Sequence, residues 1–388
     1  MEKIINLIKT QVCRIIYNDD IDNNVWIFSS TDNKKFNYNS KYIFEYVIKY
    51  EKNITPYYII NDDDERCRLQ KKYGFNYFID SKSKDGIKKI LSAGVWFTSA
   101  GLPLYGFDIG KKRTIVNLWH GVPLKRIALM ENKYGFLKKL YFKKIFSDNY
   151  SYILTTSNYL LSTMRDSFRV TDEKIKVWGQ PRNDVLFKRK DNKEIEKLYD
   201  NMPDYNKIIL YAPTHRDKEI TKIFPFHDYD KKEMEDFLEE HKIIIFIRTH
   251  ILEQANISNY LGNRIKVIDE YKIEDIMEVL NLFDILITDY SSIYIDYLLL
   301  NKPIIFLPYD KIEYLNKRGM NFDYDDITPG YKPNNMKEFF AAISTILKGK
   351  DEFQENRSII NDLFNEVKTP CSSNICLNIK KHINEKQN

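Results

Sequence analysis

Four short stretches of this chain place histidine, arginine, serine or aspartate just past an apolar run. They are "NLWHGVPLKR" (117–126), "YAPTHRD" (211–217), "FIRTH" (246–250) and "ITDYSS" (287–292). In the first, His120 is followed by Gly121, Pro123 and two cations. A neutral imidazole can accept a hydroxyl proton near neutral pH. Gly121 would let a ligand or the chain approach closely, and Pro123 would fix the turn. A structural histidine at a strand end is the ordinary alternative, and this stretch alone leaves both open.

The other three stretches lie in the second half of the chain and suit an anion. Arg216 and Arg248 offer forked donors matched to phosphate oxygens, with Thr214 and His250 beside them. Asp289 closes a buried run, and Ser291 and Ser292 precede a helix expected from about Ile293. Serines at a helix start satisfy free N–H groups. The same N–H groups, hydroxyls and helix dipole also bind phosphate. For one strand end, an arginine paired with a local carboxylate such as Asp217 is the simpler account. Three such ends in one half of the chain point to an anion site.

These residues need strands to carry them, and the apolar runs supply two series. The first comprises 25–30, 56–60, 77–80, 95–100, 114–120 and 152–157; the second comprises 207–214, 242–250, 266–270, 284–290 and 303–310. Helical patterns alternate with them, as over Lys41 to Tyr50. Ile273, Ile276, Met277, Leu280 and Phe283 recur at helical spacing, which predicts a helix before "DILITDY". Strand–helix–strand alternation implies parallel sheets covered on both faces. The expected fold is therefore α/β, with two doubly wound Rossmann-like domains facing an interdomain cleft. Ligands in such sheets bind at the carboxyl ends of the strands. The expected division is 1–185, 186–365 and a helical tail over 366–388 that could pack on either domain. The boundary falls after "GQPRND" (179–184), near the charged stretch "KRKDNKE" (188–194).

The bulk composition agrees with this and excludes several classes. A length of 388 residues exceeds one typical core. With 43% apolar and 30% charged residues the chain reads as globular. A net charge of +5 does not call for nucleic acid. Cys13, Cys67, Cys371 and Cys376 are too few and scattered for a disulfide framework, and no Cys-x-x-Cys pair suggests zinc. Asp228 with Asp230 and Asp323 with Asp325 could hold a divalent ion, but acidic doublets are common in loops, and no metal is expected. No P-loop, Gly-x-Gly-x-x-Gly, Gly-x-Ser-x-Gly or His-Glu-x-x-His motif is present. Neither a signal peptide nor an apolar run long enough to span a membrane is seen, so a cytoplasmic protein is expected. Residues 124–146 carry seven Lys or Arg and one Glu among apolar residues. A basic amphipathic helix there could lie on anionic lipid, or simply cover one domain.

Taken in order, "WHGVPLK", "GQPRNDVL", "YAPTHRD", "IRTH", "ITDYSSIYIDYLLLNKPIIF" and "KRGMNFDYDDITPG" resemble the CDP-glycerol glycerophosphotransferase family. That family includes the primases and polymerases of wall teichoic acid and relatives that build capsules. The resemblance runs from about residue 25 to 335. It implies a fold of the glycosyltransferase-B type, with an N-terminal acceptor domain and a C-terminal nucleotide domain. It also implies transfer of glycerol phosphate, or a related polyol phosphate, from a CDP-activated donor to a hydroxyl of a membrane-linked glycan. CMP is released and no cofactor is needed. On this basis His120 is the base and His250 neutralises donor phosphates. Asp289, Ser291 and Ser292 hold the diphosphate or ribose, while Arg216 and Thr214 are further donor contacts. The chain departs from the family where Val122 replaces a usual Thr, and where His215 replaces a common aromatic. Two rival functions share the sequence features: a sugar transferase or nucleotide-sugar epimerase of the same architecture, and a non-catalytic scaffold that binds polyanions. The expected place of work is the cytoplasm, including the inner face of the cell membrane.

Overall fold

The computed structural model describes residues 2–17, 20–131, 134–189, 193–196, 199, 202–216, 221–248, 257–268 and 272–387. The chain forms two compact units: residues 1–184 with 366–388, and residues 185–365.

Among the described residues the first unit carries seven strands: β1 (Asp22–Ser29), β2 (Thr55–Ile59), β3 (Phe78–Ile79), β4 (Ala93–Thr98), β5 (Thr114–Asn117), β6 (Tyr152–Thr155) and β7 (Ile175–Val177). All pairs are parallel, in the order β3-β2-β1-β4-β5-β6-β7. Its helices are α1 (Glu2–Ile16), α2 (Tyr38–Tyr50), α3 (Asp63–Tyr73), α4 (Lys84–Ser92), α5 (Phe136–Phe142) and α6 (Leu161–Phe168). The chain builds outward from β1 in one direction, then returns and builds from β4 in the other. The topological switch thus falls between β1 and β4, where crevices for ligands form in such sheets.

The second unit begins with the short α7 (Lys193–Glu196) and holds β8 (Lys207–Ala212), β9 (Ile243–Ile247), β10 (Ile265–Val267), β11 (Ile285–Thr288) and β12 (Ile304–Phe306). These are again all parallel, in the order β10-β9-β8-β11-β12, with the switch between β8 and β11. Around them lie α8 (Lys231–Glu240), α9 (Ile293–Leu298), α10 (Lys311–Arg318), α11 (Tyr324–Ile327), α12 (Met336–Leu347) and α13 (Gln354–Phe364). β9, "IIIFI", is buried at every position, as a central parallel strand covered on both faces must be. The acidic doublets serve this local structure. Asp230 and Asp323 cap α8 and α11, and Asp228 accepts the N–H of Met336 at the start of α12.

The last helix, α14 (Ser372–Gln387), belongs to the first unit. Cys371, Ile375, Cys376, Ile379 and Ile383 enter one core with Trp26, Phe28, Phe44 and Phe97. The Asp184 carboxylate accepts the N–H groups of Cys371 and Ser372 at 2.7 and 3.1 Å, satisfying donors at the helix start. Gly179 has φ +85°, and a Cβ there would lie 3.1–3.2 Å from Val367 and Cys371.

Two expected helices take other forms. Over 273–283 the chain makes two 3₁₀ turns, Ile276–Glu278 and Leu280–Leu282, joined at Val279 with φ −123°. The Asp275 carboxylate caps the first turn, and Arg248 ties the carbonyl of Ile273 outside any helix. Ile273, Met277, Leu280 and Phe283 are buried all the same, so the apolar spacing is met without a helix. Over 124–146 the expected basic helix is divided into a 3₁₀ turn at Ala128–Met130, α5, and a π turn at Lys143–Ser147. Gly135, in extended conformation, starts α5. α1 and β7 are elements that the apolar pattern does not mark.

Candidate active site

β5 ends at Asn117, and the chain leaves the sheet through a sharply turned segment. Trp119 has φ +53° and Gly121 φ +148°, both in the region that disfavours side chains. This turn presents His120 beside the carboxyl end of β4. The imidazole Nδ1 lies 2.9 Å from the carbonyl oxygen of Ser99. A carbonyl can only accept, so Nδ1 carries the proton and Nε2 is left as the ring's acceptor. Tyr38, at the start of α2, stacks on the ring at 5.0 Å with an interplanar angle of 26°. Burial is the main cause that pushes the imidazole pKa down to about 4; the Ser99 carbonyl opposes it and the Arg182 charge adds to it. At neutral pH the ring is therefore uncharged. Ser99 in turn is held by Ser40, whose N–H and hydroxyl both meet the Ser99 hydroxyl at 2.9 and 2.8 Å. The start of α2 and the ends of β4 and β5 thus converge on His120 at the switch of the first sheet.

In the second unit the corresponding position holds a buried ionic cluster. The Asp289 carboxylate accepts the N–H groups of Thr214 at 2.8 Å and Tyr290 at 2.6 Å, together with Arg216 Nη2 at 3.0 Å. Arg216 also reaches Asp310, with Nε and Nη2 at 2.9 and 3.0 Å, and its Nη1 donates to the Thr214 carbonyl at 2.6 Å. The Tyr290 hydroxyl adds a bond to Asp310 at 2.9 Å, and Tyr290 stacks on Tyr314 at 4.0 Å. Burial works against the Arg216 charge, but Asp310 and Asp289 outweigh it and raise its pKa. Three strand ends, those of β8, β11 and β12, are locked together by this one side chain. The sequence suggests a phosphate as the partner of Arg216; the structure gives it two carboxylates inside the protein.

The remaining candidates are placed as follows. Ser291 and Ser292 are half-buried at the start of α9, and the Ser291 hydroxyl accepts the N–H of Ile293 at 3.4 Å. The Thr214 hydroxyl is buried and has no partner among the described residues. Arg248 follows β9, and its guanidinium donates to the carbonyls of Ile273 at 2.8 Å and Glu274 at 3.3 Å. His250 lies outside the described residues. The structure therefore brings Thr214, Arg216 and Asp289 into one cluster beside Ser291 and Ser292, whereas Arg248 turns to the 273–274 backbone.

Several residues escape a reading of the sequence. Asp310 closes the run "PIIFLPYD" and reads only as part of a strand. Arg182 lies in "GQPRND", a stretch with no assigned role. Asn39, two residues before the helical pattern at Lys41 and the second residue of α2 in the structure, gives no signal at all.

Comparison with known proteins agrees with this picture. The family model described as CDP-glycerol:poly(glycerophosphate) glycerophosphotransferase matches residues 11–379. A teichoic acid poly(glycerol phosphate) polymerase of Staphylococcus epidermidis is 28% identical over 90% of this chain, which spans only 49% of that protein. A teichoic acid glycerol-phosphate transferase of Staphylococcus aureus is also 28% identical, over 92% of this chain and 93% of its own length. Among solved structures, the wall teichoic acid polymerase TagF is similar at 26% identity with a TM-score of 0.78, covering 100% of this chain and 98% of that one. A putative UDP-N-acetylglucosamine 2-epimerase from Listeria monocytogenes, 11% identical with a TM-score of 0.58, shares the fold alone. With two all-parallel units of glycosyltransferase-B type and a family match over nearly its whole length, the chain belongs to the CDP-glycerol:poly(glycerophosphate) glycerophosphotransferase family.

Proposed function

We propose that this chain transfers glycerol phosphate, or a related polyol phosphate, from CDP-glycerol to a hydroxyl of a membrane-linked teichoic-acid or capsule acceptor. Nε2 of His120 takes the acceptor hydroxyl proton while that oxygen attacks the phosphorus bearing glycerol. The bond from this phosphorus to the bridging oxygen breaks, and CMP leaves with the electron pair. The observation that carries this is the bond between Nδ1 of His120 and the Ser99 carbonyl, which supplies a neutral base in a fixed tautomer. Positioning and charge neutralisation are the main demands of such a displacement. In the second unit, Ser291, Ser292 and the backbone around Thr214 form the donor's phosphate site, with Gly121 admitting the acceptor in the first. His250 and Arg248 add positive charge near the donor, while Arg216 and Asp289 keep the site's loops together. The scheme uses no resident cofactor, and transfer is expected to persist in EDTA.

The acceptor's membrane link gives residues 124–146 a purpose. Phe136 and Leu137 are each 79% exposed on α5, beside Lys138 and Lys139. An apolar edge rimmed with cations suits an anionic lipid surface, on the cytoplasmic side of the membrane. Sedimentation with phosphatidylglycerol vesicles, lost in a Phe136→Asp, Leu137→Asp variant, tests this contact.

The central test is incubation with CDP-glycerol, CDP-ribitol and candidate acceptors, following CMP release and product mass. His120→Ala should abolish transfer yet still bind CDP-glycerol. If no CDP-polyol is consumed with any acceptor and none binds, the proposal fails. A chain that binds CDP-glycerol but transfers nothing, and whose binding is unchanged in His120→Ala, would indicate a binding scaffold instead.

A further inference from the structure

Two side chains outside the reaction scheme grip the backbone that carries His120. Past the end of β5 the carbonyls of Leu118, Trp119 and His120 leave the sheet ladder, and covered carbonyls need donors. The buried Asn39 amide supplies two, donating to Leu118 O and Trp119 O at 3.0 Å each. Nη1 of Arg182 donates to His120 O at 2.8 Å. The two residues are joined as well, since Asn39 Oδ1 accepts the Arg182 N–H at 3.0 Å. Three successive carbonyls of one turn are thus held from two distant segments, α2 and "GQPRND". The turn needs holding, because Trp119 at φ +53° takes a conformation that a tryptophan does not prefer locally. Such conformations persist only when the surroundings over-determine them.

We propose that Asn39 and Arg182 are positioning residues for the transfer reaction, fixing the 118–121 turn so that the His120 imidazole stays on the Ser99 carbonyl with Nε2 aimed at the acceptor hydroxyl. This rests on His120 being the base. It also gives the "GQPRND" stretch two separate roles. Asp184 and Gly179 secure the C-terminal segment, while Arg182 secures the turn. An error of about 1 Å in a reacting group costs on the order of 100-fold in rate, which sets the scale of the effect.

The test uses the full chain, with CMP release from CDP-glycerol in the presence of an acceptor. Arg182→Gln should lower kcat roughly 10- to 100-fold and leave KM for CDP-glycerol within about twofold. Arg182→Lys, which keeps a cationic donor on a side chain longer than that of glutamine, should recover part of the loss. Modification of His120 by diethylpyrocarbonate, followed by mass spectrometry, should change rate in Arg182→Gln and return towards wild type in Arg182→Lys. Asn39→Asp, which keeps the shape and loses both donors, should behave as Arg182→Gln, and circular dichroism checks that each variant is folded. Wild-type kcat with an unchanged modification rate in both Arg182→Gln and Asn39→Asp overturns the proposal, as does a loss confined to KM. His120→Ala separates the two claims. If that variant is active, the base assignment falls; if it is inactive while the other variants match wild type, only the positioning role falls.

Discussion

Lowering the pH from about 7.5 to about 5.5 should barely slow transfer, because the environment of His120 keeps its imidazole neutral throughout that range. The pKa is pushed down to about 4, by burial first, against the pull of the Ser99 carbonyl and with the Arg182 charge assisting. A histidine at the ordinary value would be roughly 9% neutral at pH 5.5, whereas one near 4 is roughly 97% neutral. The two cases differ about tenfold in active enzyme. Initial rates of CMP release across this range, at constant ionic strength and with His120→Gln as background, read the difference directly. Removing the ring that covers the imidazole, in Tyr38→Ala, should move the acid limb upward towards the ordinary value. A wild-type half-rate point near pH 6.5 would refute the argument from burial. The same shift acts on stability. The folded pKa lies below the unfolded one, so this contribution is fully present above about 6.5 and is lost as pH falls towards 4. Between about pH 7.5 and 5.0 the loss is about 2 kcal/mol, and His120→Gln should abolish it.

The four tryptophans, Trp26, Trp96, Trp119 and Trp178, all lie in the first unit, so their fluorescence in urea reports on that unit alone. Asn39→Ala should cost the first unit about 3 kcal/mol by this measure, since it strips donors from two carbonyls and an acceptor from the Arg182 N–H. Asp184→Ala, which uncovers the N–H groups at the start of α14, should cost about 1–2 kcal/mol by the same signal. Arg216→Met leaves Asp289 and Asp310 without their cation and should destabilise the second unit by about 3–5 kcal/mol. Far-ultraviolet circular dichroism should detect that transition early, with the tryptophan signal unmoved.

The strands were legible because central parallel strands are apolar on both faces, as "VWIFS" and "IIIFI" show. The residues that follow them were legible for the same reason: Asp289 and His120 stand out as polar where an apolar run stops. Partnership was not legible. Arg216 reads as a phosphate ligand, and nothing in the sequence marks Asp310, 94 positions away, as its partner inside the protein. Asn39 precedes the helical pattern at Lys41 with nothing to mark it, and only the fold shows its amide on two carbonyls 79 and 80 positions distant. β7 has three residues, too few to establish a period. The 273–283 stretch met a helical spacing with buried side chains but no helix, because Asp275 and Arg248 bind its backbone in another form.

The return of α14 to the first sheet also sets an order of events in biosynthesis. The N-terminal core stays open on the side where Ile375, Cys376, Ile379 and Ile383 belong until those residues emerge. Residues 185–365 must be made in the interval, which takes roughly 10–35 s at about 5–20 residues per second. The later unit can therefore close its core before the earlier one does. Trp26, Phe28 and their neighbours remain a binding surface for chaperones during that wait. Asp184 finds the start of α14 only at its end, so the segment that steadies the His120 turn is among the last parts of the chain to settle.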